Sequence, residues 1–213
     1  MLSTLVSLGS MPLFRSKAEA KVAEAGYDPA RLPPGQYLTE KWPVLHAGSV
    51  PKVDVATWTL TVSGEVEQPL TLSWEQLLEL PSRDVTVDIH CVTRWSRFDT
   101  TFKGVHWSEI AKLVKPKPSG RFVVAHAEQG FSSNMPLEAI EDENALIAYE
   151  ADREPLTPDH GWPVRLLVPS RYFWKSAKWL TGIELLDHDE PGFWERYGYH
   201  NDADYRKEER YSF

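Results

Sequence analysis

Strict alternation of apolar and polar residues marks two segments in the first half of the chain. In residues 55–62 (VATWTLTV) an apolar side chain occupies every second position between threonines, and residues 84–91 (DVTVDIHC) repeat the pattern. Successive side chains of a strand point to opposite faces of its sheet, so each segment is predicted to be a half-buried strand. In the second strand Cys91 falls on the apolar face at the very end, and His90 falls on the opposite face.

Helix signals are short and lie between the strands. Ser73 followed three residues later by Gln76 is a capping box, and Pro81 stops the helix that the box begins. Helical spacing also predicts helices over 15–25, ended by Gly26, and over 108–114. Further strands are predicted over 121–127, 145–150, 163–169 and 181–186. Because strands and helices do not alternate regularly, the predicted fold class is α+β with mixed or antiparallel sheets, short helices and long loops.

The chain length and its proline and aromatic content suggest how the chain is divided. At 213 residues the chain suits one sizeable domain. We expect a helical lead-in and linker over residues 1–35, the main domain over 36–187, and a tail over 188–213. The tail is polar but carries the aromatic residues Phe193, Trp194, Tyr197 and Tyr199. We therefore expect it to wrap over the domain as ordered coil.

Charge and hydropathy exclude several function classes. With 23 Lys and Arg against 31 Asp and Glu, the formal charge is −8. The chain therefore lacks the overall positive charge that is typical of nucleic-acid-binding proteins. No run approaches the ~20 apolar residues of a membrane-spanning helix. Arg15, Lys17 and Lys21 follow the mildly apolar start of the chain, whereas a secretory signal carries its positive charges first. These features predict a cytoplasmic protein without a membrane span.

The sequence contains a single cysteine, Cys91. One cysteine excludes an intramolecular disulfide framework, thiolate-rich zinc sites and all-cysteine iron–sulfur clusters. Arg94 and Arg97 follow it closely, and we expect two guanidinium groups near the sulfur to favour the thiolate. A thiolate there could act as a nucleophile, or as the one protein ligand of a metal already chelated by an organic cofactor.

The nucleophile interpretation rests on His90, Cys91 and Arg97, which fit the H-C-x5-R pattern of cysteine-dependent phosphatases. A phosphate-cradling loop favours glycine and small residues, whereas this loop carries Arg94 and Trp95 and no glycine. The phosphatase therefore stays as an alternative to the metal-ligand interpretation.

The metal-ligand interpretation is supported by a family resemblance. The segment DIHCVTRWSRFD around Cys91, and the later DHGWPVRLLVPSRYFWKSAKWLTGIELLD, resemble the molybdopterin-binding core of the sulfite oxidase family, especially its small bacterial members. The later segment is similar to a stretch shared with assimilatory nitrate reductases. The resemblance covers roughly residues 36–199.

The resemblance implies a mononuclear molybdenum–molybdopterin cofactor, in the form without a nucleotide, and a role for each matching residue. Cys91 would bind molybdenum, and His160, Arg165 and Lys178 would line the pterin and its phosphate. Because the cofactor is an anion, Lys175 at an exposed turn and backbone N–H groups of Ser176 and Ala177 are expected to complete the cradle. His126, on the strand predicted over 121–127, is a further cofactor-binding candidate.

The implied reaction is a two-electron oxygen-atom transfer on a small oxo-substrate of the sulfite, S-oxide or N-oxide class. Arg94 is shifted relative to the substrate-binding arginine of sulfite oxidases, but is expected to help a substrate dock. The chain leaves no room for the haem or dimerisation domains of those enzymes, which predicts a monomer with a separate, unknown electron-transfer partner. A pterin-binding relic without catalysis is the remaining alternative.

Overall fold

The computed structural model of the chain describes residues 16–213. Two β-sheets dominate, and the helices are short, which confirms the predicted α+β class. The helices are α1 (Lys17–Glu24), α2 (Trp74–Glu79), α3 (Trp107–Val114) and α4 (Glu138–Glu141). The strands are β1 (Tyr37–Leu38), β2 (Thr59–Gly64), β3 (Leu70–Ser73), β4 (Ser82–His90), β5 (Trp95–Val105), β6 (Phe122–Ala127), β7 (Ser132–Pro136), β8 (Leu146–Ala151), β9 (Glu154–Pro155), β10 (Arg165–Leu167) and β11 (Leu180–Leu186).

Both sheets are mixed, each with one parallel pair. The six-stranded sheet runs β1-β5-β8-β10, with β4 also paired to β5 and β9 to β8. The five-stranded sheet runs β3-β2-β11-β6-β7. The parallel pairs are β1 with β5 and β2 with β11, and the remaining pairs are antiparallel.

The main apolar core lies between the two sheets. It joins Leu60 and Ile183 of the five-stranded sheet to Ile147 and Leu166 of the six-stranded sheet. A second apolar cluster, which contains Cys91, covers the other face of the six-stranded sheet. Neighbouring residues of β8 alternate between the two clusters, as a strand buried on both faces requires.

Local signals placed several elements correctly. The capping box at the start of α2 is complete. The Ser73 hydroxyl accepts the backbone N–H of Gln76, and the Gln76 side chain accepts the backbone N–H of Ser73. The strand predicted over 55–62 begins only at Thr59, because Asp54 forms a turn by accepting the backbone N–H groups of Thr57 and Trp58.

The longest strand, β5, begins inside the loop that the sequence predicted directly after Cys91, and no element was predicted over the rest of it. Polar side chains hid it, yet most of its residues are buried. Arg31 accommodates one of its charges, since the guanidinium lies 2.6 Å from carboxylate oxygens of Asp99 on β5 and of Asp88 on the neighbouring β4. Arg97 of the same strand is paired with Asp152 in a similar way. Charge pairing thus lets a polar sequence form the central strand of the sheet.

The start of the predicted helix over 15–25, at Arg15, lies outside the described residues. Within the rest of that range α1 covers Lys17–Glu24, with Ser16 and Ala25 as its caps. In the part of the chain that the structure describes, no helix is long and apolar enough to cross a membrane.

A buried ion pair ties the tail to the body of the protein. The Lys175 ammonium lies 2.6 Å from the Glu195 carboxylate, and their side chains are 0% and 3% exposed. The same ammonium donates to the backbone and side-chain oxygens of Asn134. The Trp174 indole donates to Glu195 as well, at 2.9 Å. Residues 188–213 are thereby fixed against β7 and the segment that follows β10.

This ion pair gives a stability prediction. Glu195→Ala leaves a buried ammonium without its counter-charge, and we expect a loss of about 3–5 kcal/mol in the free energy of unfolding. Replacing both partners with apolar residues, in Lys175→Met with Glu195→Leu, should recover most of that loss. Urea unfolding followed by circular dichroism measures both. The matched control is Lys103→Ala, which breaks the exposed pair with Glu150 and should cost less than about 1 kcal/mol.

Candidate functional site

A cavity of about 520 Å³ opens beside the end of β4. Segments distant in sequence form it: the loop before β2, the turn after β4, the residues after β6, the stretch around β10 and the tail. Six of the predicted site residues line it, namely Cys91, His160, Arg165, Ser176, Ala177 and Lys178. Arg94, His126 and Lys175 do not.

Cys91 sits in the tight connection between β4 and β5. Its backbone N–H donates to Trp95 and its carbonyl accepts from the N–H of Arg94, so the position of the sulfur is fixed by a hairpin turn. The Thr93 hydroxyl donates to Sγ at 3.2 Å. The side chain is buried yet lines the cavity.

The expectation that nearby arginines favour the thiolate is wrong. Burial raises the pKa of the Cys91 thiol, and the Thr93 hydrogen bond lowers it only in part. Arg94 is exposed at the apex of the turn, and Arg97 is paired with Asp152. A neutral thiol in this position becomes a thiolate when a cation such as a metal binds it directly.

The residues of the phosphatase pattern do not assemble into a phosphate site. His90 Nδ1 lies 2.8 Å from the Ser96 hydroxyl, and its ring packs against Tyr205, on the strand face opposite Cys91. Burial lowers the pKa of His90 to about 4. Since Arg97 is also engaged elsewhere, the geometry excludes that alternative.

Arg165, the first residue of β10, is the most deeply buried cation beside the cavity. Its guanidinium donates to the His160 carbonyl at 3.0 Å and to the Ser176 carbonyl at 2.9 Å, and it stacks on the Phe173 ring, 4.1 Å from the centroid. Burial lowers the pKa of Arg165 to about 9, which still leaves it protonated at neutral pH. Among the described residues it has no carboxylate partner.

Lys178 and His160 lie beside this guanidinium. The Lys178 ammonium donates to the Asp159 carbonyl, and burial together with the Arg165 charge lowers its pKa to about 7. The His160 ring packs on Trp42, with centroids 4.1 Å apart, and burial lowers its pKa. Gly161 makes this arrangement possible, because at φ +107 a Cβ there would lie 3.0 Å from the Lys178 Cβ and 3.2 Å from the Arg165 Cβ.

The three predicted residues that do not line the cavity have other partners. His126 is half-exposed, with Nε2 2.8 Å from the Glu184 carboxylate. Arg94 is exposed. Lys175, expected at an exposed turn, is fully buried and points to Asn134 and Glu195. The error arose because the sequence did not show that the tail supplies a carboxylate.

The backbone cradle expected at Ser176 and Ala177 is only partly available. Their N–H groups donate to the carbonyls of Phe173 and Lys175, each at 3.2 Å, although both residues line the cavity. The Ser176 hydroxyl accepts the N–H of Val168.

Sequence reasoning missed the aromatic lining of the cavity. It is formed by Trp42, Trp95, Phe131, Phe173, Trp174, Trp179, Phe193, Trp194 and Tyr199. The sequence is rich in tryptophan, but tryptophan more often belongs to a protein core. The tryptophan content alone therefore did not indicate a binding site. Glu128 is the one carboxylate among the lining residues, all of which belong to the described part of the chain.

The charge pattern of the site favours an anionic ligand that also carries a metal. Two cations, Arg165 and Lys178, face the cavity without ion-pair partners among residues 16–213, and a buried thiol lies on the same cavity. A phosphate or a comparable anion would supply the missing counter-charge. The residues present therefore fit a phosphorylated organic cofactor whose metal binds Cys91.

Comparison with known proteins agrees with this pattern. A family model described as "Oxidoreductase molybdopterin binding domain" matches residues 47–194. The uncharacterized oxidoreductase YuiH of Bacillus subtilis is 45% identical over 184 residues, which cover 86% of this chain and 93% of that protein.

More distant matches are known by their reactions. The catalytic subunit of the protein-methionine-sulfoxide reductase MsrP of Campylobacter jejuni is 27% identical, over 66% of this chain and 52% of its own length. Mitochondrial sulfite oxidase of Rattus norvegicus is 28% identical, over 78% of this chain and 37% of its own length. The chain thus spans about half or less of these two relatives. The sulfane dehydrogenase SoxCD of Paracoccus pantotrophus shares the fold, with a TM-score of 0.61 at 23% identity over 68% of this chain and 42% of that one.

The lowered pKa of Lys178 predicts how stability varies with pH in cofactor-free protein. Between about 7, its value in the folded protein, and 10.5, its ordinary value, the unfolded chain binds the proton and the folded chain does not. Stability should therefore rise with pH across this window, and more steeply than in Lys178→Met. Urea unfolding of both proteins, expressed without the cofactor, at pH 7, 8 and 9 measures the difference. Equal slopes would show that Lys178 titrates normally.

Proposed function

Because the chain belongs to the oxidoreductase molybdopterin-binding domain family, we propose that it uses a molybdenum–molybdopterin cofactor. The proposed reaction is a two-electron oxygen-atom transfer on a small oxo-substrate. The chain is an enzyme of the sulfite oxidase-like family. One observation supports the choice of site. Cys91 lies on the same cavity as Arg165 and Lys178, two cations that have no carboxylate partner among residues 16–213.

Each residue has a role in holding the cofactor under this proposal. Cys91 provides the single protein thiolate to the metal, at a position fixed by the turn between β4 and β5. Arg165 presents its guanidinium from a rigid strand and Lys178 presents a point charge, which together balance a phosphate monoester. His160 and Trp42, packed on each other, form a surface for a flat pterin ring.

The cofactor, when bound, supplies the two-electron oxidation and reduction, and the protein supplies position and charge. The balanced half-reaction is XO + 2 H⁺ + 2 e⁻ → X + H₂O, in either direction, with X a sulfur or nitrogen compound. The aromatic side chains that line the cavity would reduce the contact of a bound cofactor with water.

The finer features of the proposal rest on the same cavity. The charges of Arg165 and Lys178 balance those of a single terminal phosphate. We therefore propose that the cofactor is bound in the form without a nucleotide. We further propose that the protein acts as a cytoplasmic monomer and exchanges electrons with a separate redox partner. Arg94 is left out of the proposed catalytic set, because its exposed side chain does not reach the cavity.

Elemental analysis with a Cys91 variant tests the central claim. Protein expressed in a host that makes the cofactor should carry about one molybdenum per chain, and Cys91→Ala should lose turnover while it retains much of its pterin, since the cationic contacts remain. Thr71→Ala, at an exposed position of β3 that does not line the cavity, is the matched control. The proposal would be contradicted by a molybdenum content near zero in the wild type. Full activity in Cys91→Ala would contradict it as well.

Retention of the pterin tests the cationic contacts. Arg165→Gln removes a charge-assisted fork worth roughly 1.5–3 kcal/mol, so retention should fall by about one to two decades. Arg121→Gln, an arginine that donates to the Asp187 carbonyl on the surface, should retain the cofactor like the wild type. Fluorescence of the pterin released after identical dialysis measures both, and circular dichroism verifies folding. If Arg165→Gln holds its cofactor normally, the phosphate lies elsewhere.

A further inference from the structure

The turn that carries Cys91 is held by two side chains from distant parts of the chain. The Gln36 side-chain amide, directly before β1, donates to the Cys91 carbonyl at 3.0 Å. The Arg210 guanidinium, in the tail, donates to the Val92 carbonyl at 2.6 Å. Both side chains are buried, and neither belongs to residues 47–194, which the family model matches. Two successive carbonyls of the turn are thus held by segments that flank the family domain.

Arg210 is a buried cation whose charge is only partly neutralised. It is 8% exposed, and its guanidinium lies over the Tyr172 ring, 4.9 Å from the centroid. A second nitrogen donates to the Pro34 carbonyl at 3.4 Å. The Glu208 carboxylate lies 3.7 Å from the guanidinium, but its side chain is 47% exposed, so water screens the attraction. Positive charge therefore remains behind the turn.

The charge of Arg210 extends to the sulfur of Cys91. Burial raises the pKa of the Cys91 thiol, while the Thr93 hydrogen bond and the Arg210 charge act in the opposite direction. Arg210 thus acts on the sulfur through space, from a segment that is distant in the sequence.

Groups around a metal ligand influence the metal as well as the ligand. Charges and hydrogen bonds near a sulfur ligand change the reduction potential, because a nearby cation stabilises the more negative, reduced state. The orientation of the ligand depends in turn on the groups that hold its backbone. A cation fixed behind Cys91 should therefore make a metal bound to that sulfur easier to reduce.

Resting on the proposed function, we infer that Arg210 is a positioning residue for the metal centre. It holds the turn that carries Cys91, and its charge raises the reduction potential of the metal bound there. Gln36 has only the first of these roles, because its amide is neutral. Since both residues lie outside 47–194, the segments that flank the family domain in this chain supply this adjustment of the metal.

The molybdenum potential tests the role of the charge. Molybdenum-loaded protein is titrated with dithionite, and the molybdenum(V) EPR signal reports the VI/V midpoint potential. Arg210→Met should favour the oxidised form roughly tenfold, a fall of about 59 mV for one electron, whereas Arg210→Lys keeps the charge and should stay near the wild type. Arg206→Met, which removes an exposed charge from the same tail, is the matched control. An unchanged potential in Arg210→Met, or equal shifts in Arg210→Met and Arg210→Lys, would overturn the role of the charge.

Glu208→Gln gives a prediction of opposite sign. It removes the carboxylate that partly neutralises Arg210, at an exposed position, so the midpoint potential should rise. This variant decides the question even where Arg210→Met folds or loads molybdenum poorly. A potential that falls or stays the same in loaded Glu208→Gln protein would contradict the inference and leave the proposed function intact. Wild-type protein that carries no molybdenum contradicts the proposed function instead.

Amide hydrogen exchange tests the role in holding the turn and needs no molybdenum. The Arg94 N–H donates to the Cys91 carbonyl, so its exchange in cofactor-free protein reports opening of the turn. Gln36→Leu and Arg210→Met should each speed this exchange roughly tenfold, while Arg206→Met should leave it unchanged. Equal exchange rates in the wild type and all three variants would show that the turn holds itself, and would overturn this role.

Discussion

The buried guanidinium of Arg165 is the constraint on which the site depends. A charge removed from water is costly unless the protein replaces its hydration, and here two backbone carbonyls and the face of an aromatic ring replace only part of it. The carbonyls belong to His160 and Ser176, so the same contacts hold the turn before β10 against the segment after it. A single side chain thus fixes the shape of this side of the cavity and leaves it with positive charge.

Lys175 and Lys178 show how position decides what a cation does. Lys175 is paired with Glu195 in the interior. Lys178, three residues later, faces the cavity, and within residues 16–213 its only hydrogen-bond partner is a carbonyl. The paired lysine holds the tail in place, because its carboxylate comes from the tail. The other remains available to a ligand, and burial together with the repulsion from the nearby Arg165 charge lowers its pKa. An anion bound between Arg165 and Lys178 would relieve this repulsion.

Local patterns in the sequence predicted the elements better than the contacts between them. Two features depend only on residues that are close in sequence, and the structure has both. They are the capping box of α2 and the position of Cys91 directly after β4. The strand β5 was not predictable, because its charges are accommodated by Arg31 and Asp152, which are distant in sequence. The same limit applies to Lys175, whose burial depends on a carboxylate twenty residues later.

The site itself follows this division. His160, Arg165 and Lys178 were predicted together because their motif is contiguous, and the structure brings them to one cavity with Cys91. The ionisation of Cys91 could not be predicted, since it depends on how far the arginines after it reach, and backbone geometry sends Arg94 outwards at φ +77.

Three aromatic residues, Trp174, Trp194 and Tyr199, link the position of the tail to the cavity that they line. Trp174 touches both systems, because its indole donates to Glu195 while its ring packs on Tyr199. The buried ion pair that anchors the tail therefore also helps to position these aromatic rings. Because the buried pair requires its two charges to be in contact, it fixes the tail in one register, and that register brings Trp194 and Tyr199 to the cavity.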